Sequence, residues 1–176
     1  MNKNNTKTIR VLAIVPSTRG FGFAILEGPE TLVDWGVKSV NGDKNIRSLA
    51  KVEELIEHYQ PEAMILQDNS SQGSRCSSRI LSLGEQMVAM ASKDKIKVKL
   101  FSRERVRRFF LLKREGSKQD LAEILAQRFP EELGFRLPPK RRPWMSEDYR
   151  MQIFDAVALA IVGSVAGLRR GAHVSR

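Results

Sequence analysis

Cysteine is nearly absent from this chain. Its one residue, Cys76, cannot close an internal disulfide, which excludes a disulfide-stapled secreted domain and fits a reducing cytosol. Long apolar runs are missing as well. None reaches the roughly 18 residues that a membrane span requires, and the longest, from Ala156 to Gly167, is interrupted by glycine. The opening Met1-Asn2-Lys3-Asn4-Asn5 has no apolar segment of signal-peptide type. Histidine is scarce, and neither His58 nor His173 has a ligand partner at metal-binding spacing. Gly20-Phe21-Gly22 does not follow the pattern of a phosphate loop. The expectation left by these absences is a cytoplasmic protein with no membrane partner.

Acidic residues are also in short supply. Lys and Arg number 30 against 20 Asp and Glu, a net charge of +10 over 176 residues. The excess is clustered. Between Lys93 and Lys118 eleven basic residues meet three acids, Asp94, Glu104 and Glu115. Arg136, Lys140, Arg141 and Arg142 form a second cluster beside Pro138, Pro139, Pro143 and Trp144, and Arg169, Arg170 and Arg176 close the chain. Single basic runs are usually solvated faces; three in one small domain point to a phosphate backbone as partner. With 41% hydrophobic and 28% charged residues the chain can bury a core, which excludes disordered and low-complexity classes.

The hydrophobic pattern gives one domain over 9–166, with a flexible segment over 1–8 and a basic tail over 167–176. Ile9 to Val15, Phe21 to Leu26 and Thr31 to Val40 read as three strands joined by tight turns, an antiparallel meander. Ile46, Leu49, Val52, Leu55 and Ile56 recur at helical spacing until Pro61. Ala63 to Leu66 is a buried strand, Ile80 to Ala91 a helix. Along Lys95 to Phe101, Ile96, Val98 and Leu100 alternate inward with Lys97 and Lys99 outward. Ser102 opens a helix with Val106, Phe109 and Phe110 on its apolar stripe. Ser117 and Asp120 resemble a capping box at the start of Leu121 to Phe129, and Ser146 caps a last helix from Glu147 to about Val165. The order is βββαβαβα with an extra helix before the last, an α/β chain with a mixed five-stranded sheet flanked by helices.

Four motifs fall in sequence along that order. A strand ends Val15-Pro16-Ser17 and is followed by Gly22-Phe23-Ala24-Ile25; an aliphatic strand ends Ile65-Leu66-Gln67-Asp68. Gly116-Ser117-Lys118 precedes an amphipathic helix, and Gln152 stands three residues before Asp155-Ala156-Val157-Ala158-Leu159-Ala160. Together they resemble the RuvC-type Holliday junction resolvases, which have the RNase H-like fold, over nearly the whole chain.

The resemblance implies an endonuclease of DNA recombination and repair. Such enzymes cleave phosphodiesters with two Mg²⁺ ions about 3.5–4 Å apart, held by carboxylates because a hard cation wants charged oxygen ligands. The family takes an Asp from the first strand, a Glu from the fourth and acids from the last helix. Here the corresponding positions are Val15, which has no ligating atom, Gln67 and Gln152, which are neutral, and Asp155, which alone persists. Asp68 adjoins Gln67, but alternation along a strand turns it away from the site unless a bulge or a one-residue slip returns it. Asp148, Gln152 and Asp155 share a face of the expected helix, although first-turn Asp148 also suits the helix dipole. Asp155 itself is either a ligand or a buried polar group.

Two functions follow. The first is a catalytically degenerate binder of branched or duplex DNA, with RNA as a second option, and a homodimer if it follows its relatives. The second is an active Mg²⁺-dependent junction endonuclease using Asp68 and Asp155 as catalytic and metal-binding groups; without activity no cofactor is expected. Contacts to nucleic acid are expected from Arg75 and Arg79, four residues apart, from Arg105 and Arg108, and from Lys113, Arg114 and Lys118, the last matching the lysine of the family's Ser-Lys motif.

Overall fold

The structure, a computed structural model, describes residues 8–70, 76–111 and 116–168. Strands β1 (Arg10–Pro16), β2 (Gly20–Glu27) and β3 (Thr31–Ser39) form the expected meander, and helix α1 (Lys44–Tyr59) carries the chain across to β4 (Ala63–Asp68). Helix α2 (Ser78–Lys93) leads to β5 (Lys97–Ser102), followed by α3 (Arg103–Leu111), α4 (Lys118–Arg128), the short α5 (Pro130–Leu133), a 3₁₀ turn (Gly134–Arg136) and α6 (Met151–Leu168). The sheet order is β3-β2-β1-β4-β5. β1 pairs antiparallel with β2 and parallel with β4, and β4 pairs parallel with β5. Parallel neighbours need crossovers, which α1 and α2 supply. This is the mixed five-stranded α/β sheet expected from the sequence.

Alternation along the strands divides the core in two. Val11, Ala13 and Val15 of β1 and Ala63 and Ile65 of β4 face α6, with α3 and α4 beyond it. Leu12, Ile14, Met64 and Leu66 face α1 and α2. The central strands, covered on both sides, are therefore apolar throughout rather than alternating.

Three expectations are corrected. Ile46 does not join the core: it is 66% exposed, because the inward face of α1 runs through Ser48, Val52, Leu55 and Ile56. Leu100 is 52% exposed, since β5 is an edge strand and the groove it shares with α2 is left open beside Gly84, which has no side chain to fill it. The last helix begins at Met151, not Glu147, and Ser146 does not cap it. Asp148 makes that turn instead: its carboxylate accepts the Arg150 backbone N–H at 2.9 Å and the Arg150 guanidinium at 2.9 and 2.7 Å. Asp148 thus precedes α6, and the expected helical face of Asp148, Gln152 and Asp155 does not form. At the other end α6 runs to Leu168, two residues into the expected tail; the rest of that tail and residues 1–7 lie outside the described residues.

Candidate functional site

Because β1 and β4 are parallel, their C-terminal ends lie together at one edge of the sheet. Val15 and Gln67 occupy those ends on the face that α6 covers. Opposite Val15 in the ladder stands Gly22, where a Cβ would come within 2.5 Å of the Gln152 carbonyl oxygen. Only the absence of a side chain lets the first turn of α6 rest on β2. Farther along, a Cβ on Gly163 would meet Ile65 at 2.5 Å, a second close approach that seats the helix across β4. Between these contacts lies Asp155, one turn beyond Gln152.

Asp155 lines a small cleft with Gln67, Arg103, Val106, Arg107, Lys118, Leu121 and Leu159. Lys118 is the first residue of α4, placed by the capping box of Ser117 and Asp120 that the spacing predicted. A cation at a helix N-terminus opposes the macrodipole, and here carboxylates offset the cost. The Lys118 Nζ donates to Glu147 Oε1 at 2.6 Å and to Asp155 Oδ2 at 3.3 Å. Burial pushes the Asp155 carboxyl above the ordinary carboxylate range, while the charges of Lys118 and Arg103 pull against it. The cleft lining holds three cations and one carboxylate.

That chemistry does not fit two divalent ions. Val15 is a core residue only 5% exposed. Gln67 donates its amide to Asn69 Oδ1 at 2.6 Å, and the Gln152 Oε1 is buried with no partner among the described residues. No three His, Cys, Asp or Glu side chains converge on a metal-sized site among the described residues. The remaining acid, Asp155, is paired with an ammonium group, Lys118 Nζ, at 3.3 Å.

Asp68 and Asp155 are not brought together. Asp68, in register with Met64 and Leu66, turns to the opposite face of the sheet and lines the groove between α2 and β5. There the Ser70 hydroxyl and backbone N–H hydrogen-bond its carboxylate, the latter at 2.9 Å, and hold it below the ordinary carboxylate range. No bulge returns it: β4 pairs with β5 without a break from Ala63 to Asp68.

The expected phosphate contacts are dispersed. Arg79 binds within the fold, donating to Asn45 Oδ1 and the Ser17 carbonyl, each at 3.1 Å. Arg105 is exposed and lies over the Phe101 ring, and Arg108 pairs with Glu104 at 2.6 Å on the outer side of α3. Arg75, Lys113 and Arg114 lie outside the described residues. The sequence reasoning missed Arg103, Arg107 and Glu147. A signal for the two arginines was present: they flank buried Val106 one turn apart, so the face that carries Val106 inward carries them to the cleft.

No protein-family model and no curated protein sequence matches the chain. The likeness is one of structure: this chain has the RNase H-like fold seen in RuvC-type Holliday junction resolvases. It is similar to Thermus thermophilus RuvC, at 17% identity and a TM-score of 0.67, over 93% of this chain and 97% of that one. The same bacterial protein bound to a Holliday junction substrate matches with 18% identity and a TM-score of 0.66, over 93% and 96%. The yeast mitochondrial Holliday junction resolvase Ydc2 matches with 14% identity and a TM-score of 0.63, over 93% of this chain and 81% of its own.

Proposed function

We propose that this chain is a RuvC-like DNA-binding protein, acting on branched or duplex DNA, whose cleft engages phosphodiesters through fixed cations instead of divalent metals. The observation that carries this is the neutral set Val15, Gln67 and Gln152 at the family's other ligand positions, which leaves Asp155 as the one carboxylate lining the cleft, paired with Lys118 at 3.3 Å. In this reading Lys118, Arg103 and Arg107 supply the positive charge that the family draws from Mg²⁺, so the protein holds junction or duplex without cutting it. The assembly expected is a homodimer, and the expected location is the cytoplasm. The alternative, a Mg²⁺-dependent nuclease built on Asp68 and Asp155, would require those two carboxylates to meet, and they face opposite sides of the sheet.

Arg103→Gln and Arg107→Gln provide the test, because Arg103 is exposed and Arg107 only partly buried where both line the cleft. Junction affinity, measured by anisotropy in EDTA across a salt series, should fall for each variant. The slope of log K against log salt should become shallower by about 1 for each phosphate contact removed. Unchanged affinity and slope in both variants would remove the cleft from the binding surface.

A further inference from the structure

The connector from Phe135 to Tyr149 contains Phe135 (67% exposed), Trp144 (76%), Met145 (46%) and Tyr149 (61%). Three of the four large aromatic side chains exposed among the described residues therefore fall in this one stretch, the fourth being Phe109. Their concentration in one segment sets them apart from apolar residues exposed singly, which need no explanation. Cations accompany them: the Arg136 guanidinium lies 5.1 Å from the Phe135 ring centroid, and that of Arg142 lies 5.6 Å from Trp144. Lys140 and Arg141 are exposed as well. The two acids of the stretch are already engaged, Glu147 with Lys118 and Asp148 with Arg150, so the connector shows a positive face.

It is also held in place. Gln119 donates to the Pro138 carbonyl at 3.3 Å near one end, and Lys118 binds Glu147 near the other. Both anchors are in the first turn of α4, so the connector forms a strap whose ends are tied beside the cleft. Proline at 138, 139 and 143 fixes much of its backbone. A stiff, cationic strap with outward aromatic rings has the two requirements for holding unpaired nucleotides: faces on which bases stack and charges that follow the phosphates. Duplex DNA keeps its bases stacked on each other and offers no such partner.

We infer that this strap is a binding site for single-stranded nucleic acid, with a base stacked on Trp144 and phosphates met by Arg141, Arg142 and Lys140. The inference rests on the reading of the chain as a nucleic-acid binder, but adds unpaired bases as a ligand class. The chain has two tryptophans, Trp35 and Trp144, so Trp35→Phe leaves Trp144 as the sole indole reporter. An oligothymidylate should quench its fluorescence strongly in EDTA, and a blunt duplex with the same number of phosphates should not. Trp144→Ala should weaken binding of the labelled oligothymidylate roughly tenfold, with Trp144→Phe restoring most of it and four-way junction affinity changing less. Bound oligothymidylate without quenching, or equal affinity in Trp144→Ala, would overturn the stacking site. Absence of oligothymidylate binding with intact junction binding would overturn this inference alone; absence of both would overturn the functional reading as well.

Discussion

Lys118 decides how the site is understood. A lysine after a Ser cap and before an amphipathic helix is legible in the sequence as a family position and as a candidate phosphate contact. Its two carboxylate partners were not legible, because Glu147 comes from a connector whose path no periodicity sets, and Asp155 comes from the far end of the chain. The titration of Asp155 offers a direct check. Its folded carboxyl titrates above the unfolded value because burial outweighs the cations around it. The group therefore favours folding below the unfolded pKa, and that contribution is lost as pH rises through the folded pKa. Asp155→Asn removes this dependence. Thermal melts should show the variant gaining relative to the parent as pH rises above the ordinary Asp pKa near 3.9. A relative loss as pH rises would mean that Lys118 and Arg103 dominate and that the carboxylate is held ionised.

The elements were largely readable, for a physical reason: buried strands and amphipathic helices write their periods into the sequence. β1, β4 and α1 emerge from apolar runs and three- and four-residue spacing. Where the pattern failed, a contact between distant segments had overridden it. Leu100 alternates correctly but sits on an edge that Gly84 leaves uncovered, and Ile46 keeps helical spacing while Ser48 takes the inward position. The start of α6 was misplaced because Ser146 and Glu147 have the composition of a helix N-terminus. Glu147 is instead drawn to Lys118, and Asp148 closes a turn with Arg150. Gly22 holds a close contact between β2 and α6. Gly22→Ala would drive a Cβ against the backbone of Gln152, which no rotamer change relieves. We expect a loss of about 1–3 kcal/mol in urea unfolding, together with displacement of the α6 end that carries Asp155. An unchanged midpoint would show that α6 can lift from β2 at no cost.

For the whole molecule, a net positive charge and a sheet that gathers the ends of β1 and β4 beside α6 are the features on which the proposed DNA binding rests. The net charge of +10 predicts association that steepens as salt falls. No described helix is long and apolar enough to cross a membrane. On the family resemblance, what would separate this chain from a two-metal nuclease on the same scaffold is a few side chains: neutral Val15, Gln67 and Gln152 at positions where the resemblance expects metal ligands. The most direct measurement is one incubation with a labelled four-way junction and its linear duplex, in Mg²⁺ or Mn²⁺ and in EDTA, read on native and denaturing gels. The account predicts a shifted junction of equal intensity in EDTA and no metal-dependent nick. Symmetric cuts that require the metal would contradict it and show that a working metal centre forms despite neutral Val15, Gln67 and Gln152.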